Sequence, residues 1–390
     1  MHIKFCFNRT IGQYISLILL LLIIGCKKKE NISANQSEIY DDEKVVNICD
    51  WYGMLSVDIF QDFEKETGIK VRYDVFDSND VLEAKLLATK PGYDVVFPTA
   101  TPYALRQIKM KLYQKLDKKL LTGLKKFDQT ILSKMDKVDA NMDYVVPYYW
   151  GTLGIAYNKK KLDAIFPNEK VDSYAFLFDV EKLKKLKKCG VGLLVEAIDV
   201  FPHIQLYLQQ NPNAESDIIF KEAFQYLMSI RPFFRRFTSG RFMNDLIMED
   251  LCISQAWSGE VHAHRRELRE INTDIKYIIP KEGTALWIDC IAIPQGAPHV
   301  KNAHAFINFL LQPKIAARIT NATGIPTIVK DSRQFLDKDI KNDPAIFPSD
   351  EMMKKNFIIY SENSDLNSYF EKLRNKYWIA FRLNNRSIDK

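Results

Sequence analysis

The apolar positions of this chain switch between two periods. VVNICDW (45–51) is a nearly continuous apolar run, the pattern of a strand buried on both faces. SVDIFQDFEKET (56–67) then spaces its apolar residues helically, and Gly68 stops it before a second strand, IKVRYDVF (69–76). SNDVLEAKLLAT (78–89) predicts a helix with Ser78, Asn79 and Asp80 as candidate caps, and Glu83 stands three residues after Asp80 as in a capping box. A Lys-Pro-Gly turn leads to a third strand, YDVVFPT (93–99). DYVVPYYWGTLGIAYN (143–158) reads as a long extended segment interrupted at Gly151 and Gly154. A lysine-rich, helix-prone region follows, then VGLLVEAIDVF (191–201) and further helices to about residue 270. IKYIIP (275–280) and ALWIDCIAIP (285–294) are late strands, and residues 302–324 form two helices broken at Pro313. Repeated βαβ units of this kind imply an α/β fold on an open, largely parallel sheet.

One late strand carries a chemical anomaly. ALWIDCIAIP is apolar except for Asp289, and an ionised carboxylate inside a buried strand is costly unless a cation or hydrogen bond meets it. Trp287, two residues earlier, points to the same face of an extended chain. An indole and a carboxylate thus stand side by side.

The first 26 residues follow a different pattern. Lys4 and Arg9 precede the apolar run ISLILLLLIIGC, which is short for a membrane span and has the layout of a secretory signal. Its ending, Leu22-Ile23-Ile24-Gly25-Cys26, resembles the lipobox of bacterial lipoproteins, in which the cysteine is lipidated and becomes the first mature residue. The competing reading is an uncleaved N-terminal anchor. The expectation is a signal peptide over residues 1–25, a lipid on Cys26, and a flexible polar tether over 26–44. This places the mature chain in the cell envelope, periplasmic or extracytoplasmic.

Composition adds little beyond that. At 47% hydrophobic and 27% charged residues the chain is an ordinary globular protein, long enough for two lobes. Its net charge of +6 comes from lysines scattered through helical stretches, which reads as solvated helix faces and not as a nucleic-acid surface. Past Cys6 and Cys26, the remaining cysteines are Cys49, Cys189, Cys252 and Cys290. Cys49 and Cys290 lie in apolar strands, where a thiol acts as a small hydrophobe; a disulfide is allowed by the compartment, but the spacing indicates no pair.

Catalytic signatures are missing. The chain has no H-E-x-x-H, G-x-S-x-G, P-loop or G-x-G-x-x-G after a strand. His262 and His264, at i and i+2, would diverge on a helix and are followed by two arginines, a poor metal pair. Tyr148-Tyr149 raises ferric iron, but neighbours on a strand face opposite ways, which predicts one ring in the core and one in a cleft. No enzyme activity, cofactor or resident metal is expected.

Seven segments in order resemble the spermidine/putrescine-binding proteins of polyamine ABC transporters: NICDW (47–51), FEKETGIKVRYDVFDSND (63–80), YDVVFPT (93–99), DYVVPYYWGTLGIAYN (143–158), AWSGE (256–260), IIPKEGTALWIDCIAIP (278–294) and INFLLQP (307–313). The resemblance spans roughly residues 45 to 380 and is weakest over 160–250. It implies a two-lobed periplasmic-binding-protein fold (type II), with two crossing hinge segments and the ligand in the cleft between lobes. The crossings would fall near Gly151 and near Asp289, giving lobe 1 as 45–150 and 290–325 and lobe 2 as 151–289 and 326–390.

The resemblance also implies a role for the anomaly. A linear polycation needs carboxylates for its ammonium groups and aromatic faces for its methylenes. Trp51, Thr99, Ser239, Trp257, Trp287 and Asp289 match ligand-contacting positions of the family. Glu196 and Asp199 match its acidic pair at i, i+3, although the family usually has Asp first and Glu second. Other positions depart. A family glutamate and tyrosine become Gly53 and Met54, and tyrosines after the third strand become Thr101 and Pro102, with Tyr103 one step on. The tyrosine of a late Gly-Tyr-Pro-Thr motif becomes Ile325. The implied function is a lipid-anchored protein that binds putrescine or spermidine and delivers it to ABC permease subunits. Other cationic solutes, ferric iron, or an exported enzyme on the same scaffold are the alternatives.

Overall fold

A computed structural model describes residues 43–88, 92–124, 127–355, 357–358 and 369–385. The expected signal peptide, Cys26 and nearly all of the tether lie outside the described residues. Strand β1 (Val45–Trp51) is followed by helix α1 (Val57–Thr67), which ends on Gly68 in the left-handed conformation, and by β2 (Lys70–Phe76). Helix α2 (Asn79–Leu87) is capped by the Ser78 side chain, which accepts from the Val81 amide. The capping box expected from Glu83 does not form. Glu83 is buried and accepts two 2.8 Å bonds from the fork of Arg106, a partner that a carboxylate at that depth requires.

After β3 (Val95–Val96) comes β4 (Val145–Asn158), which runs 14 residues without a break. Gly151 and Gly154 therefore do not interrupt the strand as expected. They permit close approach: a Cβ on Gly151 would lie 2.3 Å from Cζ2 of Trp287, and one on Gly154 would lie 2.2 Å from the Ile278 carbonyl oxygen. The chain continues through β5 (Val191–Leu193), α3 (Ala197–Tyr207), α4 (Asp217–Ile230), β6 (Phe234–Phe237), β7 (Ile253–Trp257), α5 (Ser258–Ala263) and β8 (Ile275–Ile278). It ends with β9 (Ala285–Ala292), α6 (Val300–Leu310), α7 (Pro313–Thr323), broken from α6 at Pro313 as expected, and α8 (Tyr369–Arg382).

The sheet order is β2-β1-β3-β9-β4-β7-β5-β6, with β8 beside β4. It is more mixed than expected: β1, β2 and β3 are mutually parallel, as are β5, β6 and β7, but β4 is antiparallel to β7, β8 and β9. The reason is that β4 and β9 travel in opposite senses along the join of two cores. One core takes β1 to β3, the Val145–Trp150 end of β4, β9, α6 and α7. The others take the rest of β4, β5 to β8, α3, α4 and α8.

This division corrects two boundaries. Strand β9 packs in the first core from Leu286 onward, so residues 286–289, expected in lobe 2, lie with the strands of lobe 1. Ile328, Val329 and Met353 also pack in the first core; of the region 326–390, α8 joins the second. Cys189 and Cys252 form a disulfide in the second lobe that spacing did not indicate, with Cα atoms 5.6 Å apart, whereas Cys49 and Cys290 are buried thiols. No described helix is long and apolar enough to cross a membrane.

Candidate functional site

Strand direction brings the ends of both lobes to one place. Along β9 the pairing runs from Trp287 opposite Gly151 to Ala292 opposite Val145, so β9 leads away from the crossing. Strand β3 is antiparallel to β9, and β1 and β2 are parallel to β3, so all three run toward it. In the second lobe β7 ends with Trp257 opposite Leu153, and β5 and β6 run parallel to β7. The carboxyl ends of six strands thus converge on the crossing, the edge at which open α/β sheets bind ligands.

Most of the residues singled out in the sequence lie on that edge. Trp51 closes β1, half-buried, with its ring 4.5 Å from that of Phe76. Thr99 follows β3 and bridges to Asp289 across 190 positions of chain: its Oγ1 donates to Asp289 Oδ1 at 2.7 Å. Asn79 fixes that threonine, accepting from its amide at 3.0 Å and donating to its hydroxyl at 2.9 Å. Trp287 is half-buried against Gly151 and within 3.5 Å of a Cβ placed on Gly259. In the second lobe Glu196 is the exposed N-cap residue of α3, and Asp199, half-buried, lies in its first turn. Ser239 follows β6 and accepts from the amide of Val195, beside Glu196. Buried Gln255 fixes the same loop by accepting from the Leu194 amide and donating to the Asp199 carbonyl. Trp257 is half-buried at the start of α5.

Burial pushes the Asp289 carboxyl up to about 7, against the stabilising bond from Thr99. Asp199 is also pushed up to about 7, first by burial and then by the charge of Glu196, with Arg374 opposing. Each carboxylate is therefore short of positive charge. The electrostatics also link the lobes, because Tyr103 of the first lobe feels Glu196 of the second: its hydroxyl is raised chiefly by burial, with Asp80 and Glu196 contributing.

Polar atoms left without a protein partner gather here. The indole nitrogens of Trp51 and Trp287, the Tyr149 hydroxyl, Thr327 Oγ1 and Asp50 Oδ2 are all buried and make no hydrogen bond among the described residues. Buried polar groups are ordinarily satisfied, so such a concentration is unusual inside a fold.

Some of these residues were passed over in the sequence. Asp50 is fully buried at the end of β1; its Oδ1 accepts from the Trp51 amide, and burial holds its carboxyl well above the usual range. A charge in an apolar strand is the signal that singled out Asp289, and it was equally present at Asp50. Glu260, three residues after Trp257, is pushed up to about 7 by burial, and its carboxylate has no hydrogen bond or ion pair among the described residues. It sits in a helix's first turn, where an acidic residue looks like a dipole complement. One expectation fails outright. Neither Tyr148 nor Tyr149 opens to a cleft: both are fully buried with ring centroids 4.6 Å apart, the Tyr148 hydroxyl donating to the Leu310 carbonyl while that of Tyr149 is one of the unpartnered atoms above. The described residues contain no group of three or more His, Cys, Asp or Glu positioned to hold a metal ion.

Relatives share this architecture. The chain is 39% identical over 317 residues to the putrescine-binding periplasmic protein SpuD of Pseudomonas aeruginosa, covering 80% of this chain and 86% of that one. It is 33% identical over 341 residues to the putrescine-binding periplasmic protein PotF of Escherichia coli, covering 86% and 91%. Among solved structures, the spermidine/putrescine ABC transporter substrate-binding protein PotD of Streptococcus pneumoniae superposes with a TM-score of 0.76 at 23% identity, over 88% of this chain and 99% of that one. A lipoprotein of Treponema pallidum gives 0.74 at 22% identity over 87% and 99%; at these identities both likenesses speak for the fold. Residues 58–348 match the family model described as bacterial extracellular solute-binding protein, and to that family the chain belongs.

Proposed function

We propose that this protein binds a polyamine at the crossing of its two lobes and hands it to the membrane subunits of an ABC importer, without catalysing a reaction. The observation that carries this reading is the convergence of under-compensated carboxylates from both lobes, Asp289 on one side and Glu196 with Asp199 on the other, between half-buried indoles. Asp289, oriented by Thr99 and Asn79, would hold one ammonium group, and the pair on α3 would hold the other. Trp51, Trp257 and Trp287 would cover the methylenes, with cation–π contacts of ~0.5–2 kcal/mol each. Ser239 would hold the loop that carries Glu196. Contacts from both lobes to one molecule favour the closed arrangement over the open one, which is the differential binding that closure requires.

Gly53 bears on ligand length. It has φ +81, a conformation in which a side chain is strained, and it supplies no carboxylate at that position. With Met54 beside it and Ile325 in place of a late tyrosine, this end offers little to a third ammonium group. The reading therefore favours putrescine relative to spermidine more than a pocket with that carboxylate would.

The names of the relatives support a periplasmic setting. Anchoring by a lipid on Cys26 is part of the same proposal, and Cys26→Ala should abolish incorporation of labelled fatty acid. Calorimetric titration with putrescine, spermidine and spermine tests the ligand class. Saturable heats with at least one are expected, and none with any of the three contradicts the reading.

A further inference from the structure

Helix α8 lies against the loop that bears the acidic pair. Trp378 donates from Nε1 to the carbonyl of Val195 at 2.6 Å and meets the Phe201 ring of α3 edge-on, 6.5 Å between centroids. Tyr377 stacks on Phe224 of α4 at 4.7 Å, so the helix is fixed on two sides. Arg374 lies one turn before Trp378 and therefore on the same face, toward the segment that runs from Val195 to Asp199. Its Nε is buried and has no hydrogen-bond partner among the described residues. The electrostatics agree with that placement: burial depresses the Arg374 guanidinium, while Glu371 and Asp199 sustain it, and Arg374 in turn lowers Asp199.

We propose that Arg374 is a specificity-determining residue, a resident cation that offsets one of the two negative charges of the Glu196–Asp199 pair and so limits that end of the site to a single ligand ammonium. This rests on the polyamine reading and extends it. With both carboxylates ionised the pair carries −2, and Arg374, which Glu371 also faces, brings it toward −1. One terminal ammonium is then balanced. A second amine close behind it, as in the three-carbon arm of spermidine, would meet an arginine where the acidic pair alone would have welcomed it.

The test uses the full chain purified in detergent, titrated with putrescine and spermidine. Arg374→Gln should raise spermidine affinity about tenfold relative to putrescine affinity, and Arg374→Lys, which keeps the charge, should move the ratio less. Glu196→Gln should weaken both ligands, and adding Arg374→Gln to it should recover part of the loss by restoring the net charge. A packing role for Arg374 predicts no such recovery. An unchanged spermidine-to-putrescine ratio in Arg374→Gln, or a double variant weaker than Glu196→Gln alone, overturns the inference while leaving polyamine binding standing. Failure of the unmodified chain to bind either amine overturns the polyamine reading and this inference with it.

Discussion

Asp289 and Glu196 are two carboxylates at the strand ends of opposite lobes, held in different ways. Asp289 is 6% exposed in the middle of a sheet, its geometry set by Thr99 and by Asn79 behind it. Glu196 is exposed at a helix start, free of capping bonds, and has Asp199 and Arg374 for company. A buried, oriented charge without a cation has lost its water and gains most from a ligand; an exposed one gives up hydration for each contact it makes. The first lobe should therefore supply most of the binding energy, and the second should tune selectivity.

The contrast breaks most visibly at Asp289. Asp289→Asn keeps the shape and allows Thr99 to donate to the amide oxygen, so affinity should fall about a hundredfold, within the ~2–5 kcal/mol for losing one partner of a buried charge pair, with no loss of melting temperature. Calorimetry and thermal unfolding together check this. If affinity is unchanged at unchanged stability, Asp289 is a structural acid.

Acid should mimic that substitution. Burial holds both Asp289 and Asp199 near 7, and on the proposed reading the cation would bind their ionised forms. Lowering pH from 8 to 6 must then cost about tenfold in affinity for each carboxylate that meets an ammonium, since work against the proton grows by ~1.36 kcal/mol per pH unit below the pKa. A flat affinity profile across that range would separate these groups from the ligand.

Glu196→Gln should cost less, roughly two- to fivefold, because exposed pairs contribute ~0.2–1 kcal/mol. A loss as large as that of Asp289→Asn would erase the asymmetry between lobes.

The smallest effect concerns Asp50 and appears in stability. Its carboxyl is raised by burial, so its favourable contribution is present below the unfolded value near 3.8 and is lost as pH climbs toward the folded value. Asp50→Asn should therefore raise the melting temperature at pH 8 by a few degrees and leave it nearly unchanged at pH 3.5. A lower melting temperature at pH 8 would mean that the ionised form is stabilised in the fold.

Periodicity made the strands and helices legible, because a buried strand such as VVNICDW must be apolar and a helix such as 56–67 must show its stripe. The course of β4 was less legible: Gly151 and Gly154 looked like breaks, yet a glycine that admits an indole looks the same in sequence as one that ends a strand. Asp289 announced itself by chemistry. Its partner Thr99 could be named only by resemblance, since a hydrogen bond across 190 positions leaves no local pattern. Which core β9 joins depends on its pairing with β4 and its packing on α6 and α7, a property of several segments at once that no local pattern shows. Arg374 was invisible for the same reason, as one basic residue among many until α8 docks on Val195.

On the proposed reading, carboxylates of both lobes grip opposite ends of one molecule. Comparing putrescine with butylamine, which has the same four carbons and one ammonium, tests it most directly. The unmodified chain should bind the diamine at least a hundredfold more tightly, and Asp289→Asn should remove most of that preference. Equal affinity for the two amines, or a preference that survives Asp289→Asn intact, would contradict it.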